Sequence, residues 1–254
     1  MADPTDFARR VRARERILGY WVVLASPVST ERLARLGWDY VCLDGQHGLL
    51  GYSDLLQNLM AVDAGGSAGM GRGAANDPTP IGRALDAGAR GIIVPLVDSA
   101  EQAASAVRAA RYPTSGGVRS YGPMRSALRI GPRPAEADAG TVVLAMIETP
   151  EGLRNVEEIC ATPGLDGVYV GPSDLCLAVG GAYPGDPAVA DEFAAALARG
   201  ARAAADAGVA AGIHTRDGAP AARRLGEGYT LATVASDLTH LEQASAAHLE
   251  QAKG

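Results

Sequence analysis

Eight short apolar runs alternate with helix-like segments along the 254 residues of this chain, and this alternation constrains the fold more than any other sequence feature. The expected strands are Gly19–Leu24, Asp39–Leu43, Ala68–Arg72, Gly91–Val97, Thr141–Ile147, Gly167–Val170, Val209–Ile213 and Tyr229–Val234. Strands that are apolar along their whole length are typical of a parallel sheet buried on both faces. Eight strand–helix units in about 250 residues predict an α/β fold, a (β/α)₈ TIM barrel, as a single domain over residues 1–254.

An open, doubly wound sheet is the alternative fold. A glycine-rich phosphate-binding fingerprint after the first strand would favour it, and the segment LASPVST at that position supplies none. An amphipathic pattern over residues 4–15 predicts an extra helix before the barrel. The strand Ala68–Arg72 rests on the alternation alone, because its glycines weaken strand propensity. Residues 111–139 show no period and are expected to form a long functional loop.

Charge and cysteine content exclude several functional classes. The chain carries 23 basic and 29 acidic side chains, a net charge of -6, whereas proteins that bind nucleic acid or anionic membranes present a basic face. No apolar run approaches the roughly 18 residues of a transmembrane helix, and the polar N-terminal segment lacks the apolar core of a secretory signal. The three cysteines have no CxxC spacing, which indicates a reducing compartment. We therefore expect a cytoplasmic protein that binds neither nucleic acid nor membrane.

Polar side chains follow the expected strands at the end where barrel enzymes hold their active sites. These residues are Asp44, Gln46, His47, Arg72, Glu148, Asp174, His214 and Ser236. The turn Gly171-Pro172-Ser173 follows the sixth strand, and its backbone N–H groups are candidates to receive an anion. The alternative for this segment is a plain turn, which Gly-Pro often marks.

Glu148 and Asp174 follow adjacent strands, which lie roughly 5 Å apart in a sheet. Two carboxylates that close repel each other unless a cation or a proton lies between them. A pair of oxygen ligands without cysteine or paired histidine suits a hard divalent ion such as Mg²⁺ or Mn²⁺, with further positions free for water and substrate. The alternative is that each carboxylate caps a helix or forms a surface ion pair, and Pro150 makes a capping role for Glu148 plausible.

His47 is the candidate for proton transfer, because histidine titrates near neutral pH and this one stands beside Asp44 in a glycine-flanked turn. Asp86, near the end of the helix before the fourth strand, is a candidate to orient the His47 ring. Arg72 is a candidate to hold a carboxylate or an enolate oxygen. The alternatives are a structural histidine, a helix-surface aspartate and a solvent-facing arginine. His214 is a second histidine candidate whose role stays open.

Four segments together resemble the HpcH/HpaI aldolase family, the metal-dependent pyruvate aldolases grouped with the citrate lyase β-subunit superfamily. In chain order they are LDGQHGLLGYSDL, RALDAGARGIIVPLVDSAEQA, AMIETPEGL and DGVYVGPSDL. The resemblance extends from about Gly19 to Asp237, and the combination is more specific than any one segment. It implies a phosphoenolpyruvate/pyruvate-type barrel whose C-terminal helix packs on a neighbouring subunit, in a homohexamer built as a trimer of dimers.

The resemblance also implies how a cation and the substrate are held. The carboxylates matching Glu148 and Asp174 would hold a divalent cation, Mg²⁺ or Mn²⁺, with Co²⁺ as a further option. Pyruvate would chelate that cation through its carboxylate and keto oxygens. The backbone around Gly171, Pro172 and Ser173 would bind the pyruvate carboxylate.

Further roles are implied for the remaining candidates. The guanidinium matching Arg72 would bind substrate and stabilise the enolate oxygen. The imidazole matching His47, supported by the carboxylate matching Asp86, would transfer the proton. The residue matching Asp44 would order the site and its waters. Gln46 would contact the substrate region near the water shell of the cation, where many members have Glu.

The sequence therefore predicts a metal-dependent aldolase that forms or cleaves 2-oxo-4-hydroxy acids through a pyruvate enolate, with pyruvate and an aldehyde as partners. Lys253 is the only lysine, which argues against Schiff-base chemistry. One alternative is an oxaloacetate decarboxylase, or a specialised carbon–carbon bond-forming enzyme, that uses the same enolate. Another is a non-catalytic barrel that acts as a binding subunit. Met146 stands where some members have Gln, so the aldehyde stays open.

Overall fold

The computed structural model describes residues 5–254, in which eight strands close into one barrel in chain order. The strands are β1 (Ile17–Val22), β2 (Tyr40–Asp44), β3 (Ala68–Arg72), β4 (Gly91–Val94), β5 (Val142–Ile147), β6 (Gly167–Val170), β7 (Ala210–Thr215) and β8 (Leu231–Ser236). Every neighbouring pair is parallel, and β8 pairs with β1 to close the sheet. The predicted (β/α)₈ barrel is confirmed, and the glycine-rich β3 has the bounds that the alternation predicts.

Helices connect the strands and flank the barrel. They are α1 (Asp6–Arg12), α2 (Pro27–Ala34), α3 (Tyr52–Gly65), α4 (Pro78–Asp86), α5 (Ala100–Ala110), α6 (Ser126–Arg129), α7 (Pro134–Gly140), α8 (Pro150–Arg154), α9 (Val156–Cys160), α10 (Pro172–Ala178), α11 (Ala190–Ala207), α12 (Gly218–Gly226) and α13 (Asp237–Lys253). The extra helix expected over 4–15 is the shorter α1, and residue 4 lies outside the described residues. No helix within residues 5–254 combines the length and hydropathy that a membrane span requires.

Residues 111–139 differ from the irregular loop that their sequence predicts. They contain a 3₁₀ turn at Pro113–Ser115 and the helices α6 and α7. Asp138 of α7 accepts a hydrogen bond from the backbone N–H of Tyr112 at 3.2 Å, which closes the segment on itself. Helices of one or two turns are too short to show a hydrophobic period, so their positions depend on such contacts.

The barrel interior is filled by side chains, and α1 closes it at the end where the strands begin. Phe7 packs into the interior with its ring centroid 5.9 Å from that of Tyr40. Gly19 of β1 makes room for Tyr40, since a Cβ there would lie 2.1 Å from the tyrosine ring. Small barrels fill their narrow interior by placing small residues opposite large ones, as Gly19 and Tyr40 do here. The floor of the barrel is therefore packed, and a ligand can enter only from the other end.

A cavity of about 550 Å³ lies outside this closed floor, beside α1 and the ends of α2 and α3. Several of its charged side chains pair with each other: Arg10 with Asp39 at 2.8 Å and Arg129 with Asp63 at 3.1 Å. Since none of the sequence candidates lines it, the larger cavity is not the expected site.

Candidate active site

A cavity of about 260 Å³ opens where the strands end. The sequence candidates that line it are His47, Arg72, Gly171, Pro172, Ser173, Asp174, His214 and Ser236. Four further lining residues are apolar or aromatic and are missing from the sequence candidates: Trp21, Val23, Met146 and Tyr169. Residues from seven strands and their following turns thus meet at the C-terminal mouth of the barrel, the position expected for a barrel enzyme.

Asp44 and Arg72 form a buried two-point ion pair at the mouth. Arg72 Nε donates to Asp44 Oδ1 at 2.9 Å, and Nη2 donates to Oδ2 at 2.5 Å. Asp44 also accepts the backbone N–H groups of Gln46 and His47 on Oδ1, at 3.0 and 3.1 Å. Burial by itself raises the pKa of Asp44, but the hydrogen bonds and charge of Arg72 outweigh it and leave the pKa below its usual value. Asp44 is therefore a carboxylate that fixes both Arg72 and the following turn.

Trp21 braces this pair from β1. Its indole Nε1 donates to Asp44 Oδ2 at 3.1 Å, and the Arg72 guanidinium carbon lies 5.2 Å from the Trp21 ring centroid. Arg72 Nη1 has no hydrogen-bond partner within residues 5–254, so it is free to bind a ligand oxygen. The Arg72 guanidinium is thus held rigidly, and its Nη1 can still donate to a substrate.

Glu148 lies one residue beyond β5 and is 4% exposed. Its Oε1 accepts the backbone N–H of Leu96 at 2.9 Å. A Cβ on Gly171 would lie 2.6 Å from Oε2 of Glu148, so a residue with a side chain at position 171 would clash with this oxygen. Burial, together with the charge of nearby Asp174, raises the pKa of Glu148 despite the opposing Leu96 hydrogen bond.

Asp174 stands in the first turn of α10, exposed at the cavity mouth. Neither Asp174 nor Glu148 forms an ion pair within residues 5–254, although the charge of Asp174 contributes to raising the pKa of Glu148. No group of three or more His, Cys, Asp or Glu in that part of the chain is arranged to hold a metal ion. Two carboxylates with free oxygens nevertheless fit Mg²⁺ or Mn²⁺, which proteins commonly bind through one or two carboxylates with the remaining positions taken by water or substrate.

The turn that follows β6 becomes α10, a helix that the sequence analysis did not predict. Gly171 is its N-cap and Pro172 its first residue, so the N–H groups of Ser173 and Asp174 lack partners within the helix. Across the mouth, Oε1 of Gln46 is buried without a hydrogen-bond partner within residues 5–254. Both features leave polar atoms at the site unpaired.

His47 and Asp86 lie apart, and this corrects one expectation. His47 follows β2 and lines the cavity at the strand ends, with an exposed side chain. Asp86 is the last residue of α4, which runs back to the start of β4, at the opposite end of the barrel. There its Oδ1 accepts from Arg119 Nη2 at 2.6 Å. Within one chain Asp86 therefore does not orient His47, because helix and strand directions in the barrel are opposed.

His214 is the inward-facing residue near the end of β7. Gly212, two positions earlier, faces inward against Tyr169, and residues two apart share a face. The His214 ring packs edge-on against Trp21, with centroids 5.3 Å apart. Burial, with the positive charge of Arg72, lowers the pKa of His214 to about 4.

The chain is similar to known proteins in sequence and in fold. Residues 17–244 match the family model described as HpcH/HpaI aldolase/citrate lyase. A hydroxypyruvate/pyruvate aldolase of Rhizorhabdus wittichii is 39% identical over 229 residues, 90% of each chain. An HpcH/HpaI aldolase/citrate lyase family protein from Burkholderia cenocepacia has a TM-score of 0.90 at 34% identity, covering 98% of this chain and 100% of its own. A citrate lyase β subunit from M. tuberculosis, complexed with oxaloacetate and magnesium, shares the fold with a TM-score of 0.58 at 18% identity, covering 89% of this chain and 93% of its own. The chain therefore belongs to the HpcH/HpaI aldolase/citrate lyase family, and it is a carbon–carbon lyase.

Proposed function

We propose that this protein is a divalent-cation-dependent aldolase that forms or cleaves 2-oxo-4-hydroxy acids. Pyruvate and an aldehyde are its substrates in synthesis and its products in cleavage. The proposal rests on two carboxylates, Glu148 and Asp174, that form no ion pair within residues 5–254. They lie in the same site as Arg72, which Asp44 holds in place. Carboxylates without a counter-charge suit a cation, and a fixed guanidinium suits an oxyanion. Together they match a reaction whose difficult step is forming an enolate.

Glu148 and Asp174 would hold the cation, as Mg²⁺ or Mn²⁺, with Co²⁺ as a further option. The magnesium in the related citrate lyase β subunit supports this assignment. A bound divalent cation would polarise the keto oxygen of pyruvate and lower the free energy of its enolate. The N–H groups of Ser173 and Asp174 would bind the pyruvate carboxylate, while Pro172 has no N–H and contributes only its fixed backbone angle.

Arg72 would donate from its unpaired Nη1 to the oxygen that becomes negative in the enolate. Because Asp44 and Trp21 fix the guanidinium before substrate arrives, little reorganisation accompanies the charge transfer. Asp44 acts as a positioning residue, since its carboxylate is committed to Arg72 and the following turn. The partner of the Gln46 amide oxygen in this proposal is a water or a substrate hydroxyl.

His47 would move the proton. In the synthetic direction a proton leaves the methyl carbon of pyruvate, and that carbon forms a bond to the carbonyl carbon of the aldehyde. The aldehyde oxygen takes up a proton and becomes the 4-hydroxyl group. An exposed histidine at the mouth of the cavity can exchange protons with solvent between these steps.

We further propose a cytoplasmic homo-oligomer. Nearly all of α13 is exposed in the isolated chain, including Leu241 at 59% and Leu249 at 56%. Leucines on an unburied helix are typical of a surface that a second subunit covers. The family resemblance supports a hexamer, and the buried free thiols of Cys42, Cys160 and Cys176 support a reducing compartment.

The proposal is tested by deuterium exchange into the methyl group of pyruvate in D₂O. The protein with Mg²⁺ or Mn²⁺ should catalyse exchange without any aldehyde, and EDTA should abolish it. Exchange that survives metal removal, or its absence with every divalent cation tried, would overturn the proposal. Glu151→Gln, on the exposed surface of α8, should exchange like the wild type and controls for general effects of losing a carboxylate.

Oxaloacetate decarboxylation is the second candidate, favoured by the oxaloacetate found in the related citrate lyase β subunit. Loss of CO₂ from oxaloacetate produces the same enolate, so the same residues would serve. Incubation with pyruvate and a series of aldehydes separates the two candidates. An aldolase joins pyruvate to an aldehyde through a new carbon–carbon bond, whereas a dedicated decarboxylase releases pyruvate from oxaloacetate and does not react with aldehydes.

A further inference from the structure

The imidazole of His214 faces the cavity without a hydrogen-bond partner. Neither ring nitrogen is bonded to any atom within residues 5–254, and its defined contact is the edge-on packing against Trp21. The same cavity is lined by Arg72 and Asp174. Polar groups inside proteins are seldom left unpaired unless a ligand or water completes them. His214 is therefore placed to contact whatever binds beside the acidic pair.

His214 is also uncharged at neutral pH. Burial, then the positive charge of Arg72, lowers its pKa to about 4, and the charge of Asp44 opposes this only in part. A neutral imidazole has one N–H donor and one nitrogen acceptor. That combination matches a hydroxyl group, which both donates and accepts, better than it matches a carboxylate.

The cavity is larger than pyruvate alone. Its whole volume is about 260 Å³, whereas pyruvate is a three-carbon acid, which the proposed function places at Arg72 and the start of α10. Ser236 lines the same cavity, and its hydroxyl accepts the N–H of Thr239 at 3.2 Å. His214 and Ser236 thus give the lining two neutral, polar side chains.

Positive charge is scarce around the cavity. Among its lining residues, all within 5–254, Arg72 is the one arginine and there is no lysine. Asp44 neutralises that arginine through two hydrogen bonds. The remaining nitrogen of Arg72, Nη1, donates to the enolate oxygen of pyruvate in the proposed function, so a carboxylate on the second substrate would find no further positively charged side chain in the lining and would lose hydration on binding.

We propose that His214 is a specificity-determining residue that hydrogen-bonds a hydroxyl of the acceptor aldehyde, so that this chain prefers uncharged hydroxyaldehydes to aldehydes bearing a carboxylate. The inference rests on the proposed aldolase function and adds the substrate class. The observation that supports it is the His214 imidazole, which packs against Trp21 without a hydrogen-bond partner in the same cavity as Arg72.

The test compares kcat/KM for three acceptors with pyruvate as donor: glycolaldehyde, propionaldehyde, in which a methyl replaces the hydroxyl, and glyoxylate, which carries a carboxylate. The wild type should prefer glycolaldehyde to both. His214→Phe keeps a flat ring against Trp21 and should lower the glycolaldehyde-to-propionaldehyde ratio by about tenfold, the value of one hydrogen bond. His214→Gln, which keeps a donor and an acceptor, should restore part of the ratio.

Deuterium exchange into pyruvate is measured on the same proteins to separate the two proposals. Normal exchange in His214→Phe with an unchanged acceptor ratio would overturn the role of His214 while the aldolase function stands. A wild type that prefers glyoxylate would overturn the preference for uncharged acceptors. A purely structural role for His214 would lower the rates for all acceptors equally, and this would also contradict the proposal. If the wild type shows no exchange with any cation, the aldolase function fails and this inference fails with it.

Discussion

Leu96 donates its backbone N–H to Oε1 of Glu148 over 2.9 Å, from a left-handed backbone conformation with φ of 53°. This geometry occupies one carboxylate oxygen and leaves Oε2 beside Gly171 for a ligand. Leucine has no intrinsic preference for this region of backbone space, and such residues persist where the surrounding structure holds them. Leu96 is therefore a positioning residue for the proposed cation ligand.

Leu96→Val should weaken cation binding, because a β-branched residue is least tolerated at positive φ. We expect the Mn²⁺ dissociation constant, measured by electron paramagnetic resonance, to rise by about tenfold, which corresponds to about 1.4 kcal/mol. Leu96→Gly keeps the N–H and adopts this backbone freely, so it should bind Mn²⁺ like the wild type. Arg14→Val is the matched control, since Arg14 is exposed and has φ of 56° away from the site. Equal Mn²⁺ affinity in all four proteins would show that Leu96 does not position Glu148.

Removing the charge of either member of the acidic pair should strongly weaken cation binding and leave the fold intact. Glu148→Gln and Asp174→Asn keep the shape of each side chain and remove its charge. We expect Mn²⁺ affinity to fall by more than about 100-fold, beyond the usual effect of changing a residue that only supports a ligand. Without metal, Glu148→Gln should melt no lower than the wild type, since it removes a buried, unpaired charge. Retained Mn²⁺ affinity in either variant would remove that residue from the site.

His47→Ala should slow proton transfer without weakening the cation. Loss of a general acid or base typically costs about 10²–10⁴-fold in rate, and we expect that loss in the aldol rate. Mn²⁺ affinity should match the wild type, because His47 is not a proposed ligand. Loss of Mn²⁺ from the His47 variant would instead identify His47 as a ligand.

The strand-end residues could be predicted because a parallel barrel gathers the carboxyl ends of its strands at one mouth. Arg72, Asp174 and His214 were found that way, and all three line the cavity. That Trp21 and Tyr169 line the cavity could not be predicted, for a physical reason. Their strands are apolar on both faces, so the sequence carries no alternation that marks which residues point inward.

Two other features depend on tertiary contacts. The left-handed conformation of Leu96 has no signal in the sequence, because the surrounding fold imposes it on an ordinary leucine. The pairing of Asp86 with Arg119 has no signal in the sequence, which places Asp86 only near the end of the helix before the fourth strand. A helix that precedes a strand in a barrel ends at the start of that strand, so the direction of α4 separates Asp86 from His47.

Acidification should destabilise the protein through His214. Its pKa in the folded state is about 4, below the ordinary value of 6.5. Between these values the unfolded chain binds a proton that the folded chain does not, so stability falls as the pH decreases from about 6.5 to about 4. The slope is at most about 1.4 kcal/mol per pH unit for one group. Urea denaturation across this range should show a shallower decline for His214→Phe than for the wild type. Parallel declines would mean that His214 is not held neutral beside Arg72.

Arg72→Lys tests whether the planar fork matters as well as the charge. Lysine keeps a positive charge but cannot form the two parallel hydrogen bonds to Asp44 and still point a donor at the substrate. If Arg72 stabilises the enolate, the loss appears in kcat as well as in KM, because the contact strengthens as charge moves to the keto oxygen. We expect methyl-deuterium exchange at saturating pyruvate, with Mn²⁺ present, to slow by about 10²–10³-fold, the usual effect of losing one oxyanion donor. Arg133→Lys, at an exposed position in the segment 111–139, should exchange like the wild type. Raised KM with unchanged exchange at saturation would limit Arg72 to holding the ground state, and the enolate would then depend on Glu148, Asp174 and their cation alone.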